Sequence, residues 1–223
     1  MRLSKTLPED IEEIIASGDL GAVARAVEGC QIGAYLRRSA YEPRLMHFPA
    51  SQEITAFLLE RGEDINSRDR YEQTPVHWRV MNRRVDQIPY LVSRGADINA
   101  RDWDDRTPLF DAVRILEASD VERMISWGAN ARVVAKSRFH GKVTLTEHAL
   151  GEEVFLDAPR ALGVIRVLLA HRARTGKRER ESLRSMDSLR CAFITHGHSG
   201  VPDSLFDEAV AALAQLCALF GVE

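Results

Sequence analysis

The sequence predicts an all-α solenoid of paired antiparallel helices joined by β-hairpin-like loops and closed by helical caps. Three observations predict it. Thr74-Pro75-Val76-His77 returns as Thr107-Pro108-Leu109-Phe110, 33 residues on. Arg61-Gly62-Glu63-Asp64-Ile65-Asn66 returns as Arg94-Gly95-Ala96-Asp97-Ile98-Asn99, again 33 residues on, and Gly128 in Trp127-Gly128-Ala129-Asn130 lies another 33 beyond Gly95. An apolar pair precedes each glycine: Leu58-Leu59, Leu91-Val92 and Met124-Ile125. Independent motifs sharing one period signal a repeated supersecondary unit, which cannot bury its apolar face alone and must stack.

Each element of the repeat has a physical reason. Thr74 and Thr107 suit a helix N-cap, where a side-chain oxygen satisfies a free backbone N–H. Pro75 and Pro108 then fall at the first helical position, where a missing N–H costs nothing. His77 is placed to hydrogen-bond towards a neighbouring turn. Gly62, Gly95 and Gly128 end the second helix in the left-handed conformation. The apolar pairs are expected to face inward, and Asp64-Ile-Asn and Asp97-Ile-Asn to begin the hairpin to the next unit.

This pattern resembles the ankyrin repeat family, whose unit is about 33 residues with a T-P-L-H-x-A signature. The match is close over 69–132 and looser on both sides. The units predicted are approximately 7–38, 39–68, 69–101, 102–134 and 135–175, with a helical cap at 176–223, all in a single domain. In the first, Ser17-Gly18-Asp19 reads as a helix junction, Ala26-Val27 as the apolar pair, and Cys30 stands in the glycine column. In the second, His47 matches His77, and the helices are shortened, with Pro49 and Ser51 between them. In the fifth, Thr144 to Ala149 aligns with Thr107 to Ala112. Insertions fall near 137–141 and 151–157, and Arg172 replaces the turn glycine. In the cap, Leu205, Ala209, Ala212, Leu213, Leu216 and Leu219 form a helical apolar stripe.

Composition supports a globular protein: 45% hydrophobic, 28% charged, formal net charge −3. That balance disfavours nucleic acid as the partner. The run Arg172, Arg174, Lys177, Arg178, Arg180 and Arg184 is diluted by Glu179 and Glu181 and reads as a solvated helix face. No stretch reaches the roughly 18 apolar residues of a membrane span, and the N-terminus lacks a secretory apolar region. The three cysteines, Cys30, Cys191 and Cys217, have neither disulfide nor metal spacing. A cytoplasmic protein is therefore expected.

Catalytic signatures are absent: no G-x-S-x-G, Walker A, G-x-G-x-x-G or H-E-x-x-H occurs. His196 and His198 beside Asp203 are a weak metal set, since zinc takes three or four ligands. Cys191 sits among apolar helix residues, a poor setting for a nucleophile. No enzyme activity, cofactor, metal or small-molecule substrate is expected.

The resemblance implies a protein partner, of unknown identity, bound on the concave surface of hairpin tips and inner helices. Carried over residue by residue, that surface comprises Arg70, Tyr71, Gln73, Met81 and Asn82 around Thr74. Around Thr107 it comprises Trp103, Asp104, Arg106, Arg114 and Ile115. Trp127 joins them at the rim before a turn glycine, with Arg61 and Arg94 in the same column. Trp, Tyr and Arg are the residues enriched at interface hot spots. Trp103, bounded by charges in Arg101-Asp102-Trp103-Asp104-Asp105, is expected to be exposed, and Trp78 to be in the core. Two functions follow: a general interaction module, or a dedicated inhibitor of a partner enzyme, of the bacterial immunity or antitoxin kind.

Overall fold

The computed structural model describes residues 3–137, 141–150, 157–175, 179–184 and 203–222. The chain forms two compact units, residues 1–108 and 109–223.

In the first unit β1 (Ser4–Thr6), α1 (Ile11–Ala16), α2 (Leu20–Val27) and β2 (Cys30–Tyr35) come in order. A short 3-10 turn (Leu45–His47) precedes α3 (Gln52–Glu60), α4 (Pro75–Met81) and, after a second such turn (Val85–Gln87), α5 (Ile88–Ser93). The buried centre holds Ile11, Ile15, Val23, Val27, Leu45, Ile54, Leu58, Val76, Val80, Ile88 and Leu91. Gly18 turns the chain with φ +75° and Asp19 caps α2, its carboxylate accepting from the Ala22 N–H at 3.0 Å.

The all-α expectation does not hold for the N-terminal part, nor for 134–144, where a second pair of strands forms. β1 and β2 form a parallel two-stranded sheet. Cys30 therefore does not occupy a glycine-type turn; it begins a strand. Gly62, Gly95 and Gly128 do make the expected turns, with φ of +99°, +97° and +104°. The apolar pairs split: Leu58, Leu91 and Met124 are buried, while Leu59, Val92 and Ile125 are only half-buried. Trp78 is half-buried, and its Nε1–H donates to the buried Asp69 carboxylate at 2.9 Å.

In the second unit α6 (Pro108–Ile115), α7 (Ala118–Ser126), β3 (Val134–Ser137), β4 (Gly141–Thr144), α8 (Leu145–Ala149) and α9 (Ala158–Ala170) are followed by a helical segment at 179–184 and by α10 (Asp203–Phe220). The insertion before Thr144 lengthens a hairpin into a ladder: β3 and β4 pair antiparallel, from Val134 with Thr144 to Ser137 with Gly141. Arg172 holds φ +57° where glycine stood in earlier units. Ala209, Ala212, Leu213 and Leu216 of α10 are buried and the helix packs on α9, but Leu219 is 46% exposed and leaves the stripe. Insertion residues 151–156, basic residues Lys177 and Arg178, Cys191, and the His196–His198 pair lie outside the described residues.

α8 begins with a reciprocal cap. The Thr144 N–H donates to Glu147 Oε2 at 2.8 Å, and the Glu147 N–H donates to Thr144 Oγ1 at 3.1 Å. Glu147→Ala removes one arm of this capping box and is expected to cost about 1 kcal/mol. Urea denaturation followed by circular dichroism checks it; an unchanged midpoint would count against the cap. Thr144 and Thr146 also donate to Glu179, a fully buried carboxylate, which ties the 179–184 segment to the start of α8.

Candidate functional site

The hairpin tips of the first unit are held in register by a repeated set of hydrogen bonds. The Arg70 N–H donates to the Tyr41 carbonyl at 2.8 Å, and the Trp103 N–H donates to the Tyr71 carbonyl at 3.0 Å. Within each tip an aspartate carboxylate fixes the turn. Asp69 Oδ1 accepts from the N–H groups of Tyr71 and Gln73, and Asp102 Oδ1 from those of Asp104 and Arg106, all between 2.8 and 2.9 Å. Glu42, Glu72 and Asp105 complete the turns in the left-handed region. Burial raises the Asp102 carboxyl above the usual carboxylate range, partly offset by the two N–H donors.

Behind the tips, histidines join one repeat to the next. His77 Nδ1 accepts from the Thr74 N–H at 3.1 Å, and Nε2 lies 3.4 Å from the Arg106 carbonyl. His47 does the same with the Arg44 N–H at 3.1 Å and the Gln73 carbonyl at 3.0 Å. An acceptor at Nδ1 and a carbonyl at Nε2 select the neutral ring protonated on Nε2. Thr74 and His77 thus form a reciprocal capping box, the threonine side chain facing the N–H at position 77 and the His77 ring taking the Thr74 N–H. The sequence signal for this was the threonine-to-histidine spacing itself. Arginines add a second ladder: Arg44 donates to the Arg68 carbonyl and Arg68 to the Arg101 carbonyl. Asn66 bridges the glycine turns, donating to the Gly95 carbonyl and accepting from the Asp97 N–H.

This framework presents three aromatic rings at the tips. Tyr41 is 45% exposed, Tyr71 41% and Trp103 50%. Tyr41 and Tyr71 meet edge to face with centroids 5.1 Å apart, and Tyr71 and Trp103 lie 6.4 Å apart. Tyr41 also meets Trp78 at 5.9 Å. Tyr41 was not singled out from sequence. The signal was present: Tyr41-Glu42 precedes His47 as Tyr71-Glu72 precedes His77, at an offset of 30 rather than 33.

Around the rings, Arg70 is exposed and 3.8 Å from Glu42. Gln73 is half-buried, with its amide 3.9 Å from the sulfur of the half-buried Met81. Asn82 is exposed and donates to the Trp78 carbonyl. Asp104 and Arg106 are half-buried. In the second unit, Arg114 is exposed, Ile115 is half-buried, and Trp127 is half-buried with the Arg123 guanidinium 5.0 Å from its ring centre. Among the described residues no group of three or more His, Cys, Asp or Glu is placed to hold a metal, and no helix is long and apolar enough to cross a membrane.

Residues 45–134 match the family model described as ankyrin repeats (3 copies), so that span is built of ankyrin repeats. No curated protein matches the chain. Ankyrin repeats are generally protein–protein interaction modules and typically not enzymes.

Proposed function

We propose that this chain binds a protein partner through the hairpin-tip surface of its repeats, with Tyr41, Tyr71 and Trp103 as anchors. The observation that supports this is the run of three exposed, touching aromatic rings on consecutive tips. Exposed aromatics cost solvation without contributing to the core, and they supply large rigid contact area to a partner. Arg70, Gln73, Met81, Asn82, Asp104 and Arg106 form the polar and adaptable surround. Arg114, Ile115 and Trp127 are proposed as partner-contacting residues of the second unit, taken by itself. We also propose that the chain acts without catalysis, that it works in the cytoplasm, and that 176–223 serves as an end cap on the five units.

Capture of the native partner on the immobilised chain, with identification by mass spectrometry, tests the proposal. A stoichiometric protein retained by the wild type and lost on Trp103→Ala with Arg106→Ala supports it; equal retention by both overturns the tip assignment. A captured enzyme that regains activity on dissociation would make the chain a dedicated inhibitor rather than a general interaction module.

A further inference from the structure

Arg79 stands where the next repeat has a small residue, Ala112, 33 positions on. Its side chain is 1% exposed. Nη1 donates to the carbonyl oxygens of His47 at 2.8 Å and Met46 at 3.3 Å. The Met46 carbonyl is left over because the residue three on is Pro49, which has no N–H to give back. Part of the guanidinium is thereby structural. The rest is not: Nε is buried with no hydrogen-bond partner. No carboxylate comes within ion-pair distance of Arg79 among the described residues. A buried cation without a counter-ion is strongly unfavourable.

Arg79 lines a cavity of about 190 Å³ whose wall includes Ser51, Gln52, Thr55, Asp86 and Gln87. A water molecule takes up only roughly 30 Å³ in the liquid, so the space has room for a larger group. Gln87 Oε1 is also buried without a partner. Amide oxygen and nitrogen are interchangeable by a flip, so the same side chain can present donors to the cavity. The N-terminus of α3 meets the cavity at Ser51 and Gln52. Ser51 Oγ accepts from the Ile54 N–H at 3.2 Å, which leaves the N–H groups of Gln52 and Glu53 without an intrahelical acceptor. That end of a nine-residue helix carries partial positive charge and suits an anion. The one acid on the wall, Asp86, is exposed.

We infer that this cavity binds a compact tetrahedral oxyanion of the phosphate or sulfate type, with Arg79 supplying the principal charge and the start of α3 and Gln87 the further donors. The anion supplies the counter-charge that Arg79 lacks within the protein. The site is separate from the hairpin tips and does not depend on the partner-binding proposal.

The test is titration of the full chain with inorganic phosphate at constant ionic strength, with chloride and acetate as parallel arms, by calorimetry and thermal melting. Saturable phosphate binding with a raised melting temperature is expected, with no comparable effect of chloride or acetate. Gln87→Glu gives Arg79 an internal carboxylate of nearly the same shape. It is expected to weaken phosphate binding about tenfold or more, while the phosphate-free variant melts no lower than the wild type. Asp86→Asn removes the negative charge from the wall and is expected to tighten binding. Three results would overturn the inference: no phosphate effect beyond chloride, acetate binding as tightly as phosphate, or unchanged phosphate binding in Gln87→Glu.

Discussion

Acidification from pH 6.5 to about pH 4 is expected to cost the first unit on the order of 3 kcal/mol of stability through His77. Burial pushes the His77 imidazole down to about 4, against 6.5 in the unfolded chain, with the nearby Arg68 and His47 adding repulsion and the Arg106 carbonyl opposing. Above pH 6.5 both states are neutral and the contribution is intact. Between 6.5 and 4 the unfolded chain takes up the proton and the folded one does not, so stability falls by about 1.4 kcal/mol per pH unit. Below about 4 the loss levels off. Protonation at Nδ1 would also set a ring N–H against the Thr74 N–H that Nδ1 now accepts, breaking the join at its root. His47 acts in the same direction, its pKa lowered first by burial. Glu63 and Asp102 oppose: burial raises both, so each favours the folded state as it protonates at the acid end. The check is the urea midpoint, followed by tryptophan emission, at several pH values from 7.5 to 4.5. A midpoint that stays level across that range would remove the neutral-histidine joint from the account.

Replacing Trp103 and Arg106 together by alanine is expected to weaken partner binding by about 2 kcal/mol or more, roughly thirtyfold, without unfolding the unit. The folding half of this expectation rests on which atoms the framework uses. At Trp103 the framework uses the N–H, bonded to the Tyr71 carbonyl; the indole is half exposed. At Arg106 it uses the N–H, bonded to Asp102, and the carbonyl, facing His77. Alanine keeps all three groups. The binding half rests on the indole beside Tyr71 and the guanidinium beside it in sequence at the same tip, the residue types that dominate interface energetics.

The residues that revealed the repeat and the residues proposed to bind are different sets, and they were not equally legible. The T-P-x-H stretch and the turn glycines recur because a cap, a first-turn proline and a left-handed φ each admit few residue types. Trp103 was legible because a large ring flanked by aspartates and arginine has no core to enter. Tyr41 was missed because Pro49 shortens its unit and moves its register to 30. The β1–β2 sheet was missed because a three-residue strand gives no periodicity and Cys30 falls in the column of the turn glycine. Arg79 carries no local signal in the sequence. Its burial follows from the truncated helix before it, a tertiary consequence that a local pattern does not carry.

The most direct test of the partner-binding account is a calorimetric comparison of the captured partner against three chains. These are the wild type, Trp103→Ala with Arg106→Ala, and the exposed outer-helix pair Glu60→Ala with Ser93→Ala. The account predicts a loss of about thirtyfold or more for the tip pair and wild-type affinity for the outer pair. Wild-type affinity in the tip pair, with the loss falling on the outer pair instead, would contradict it.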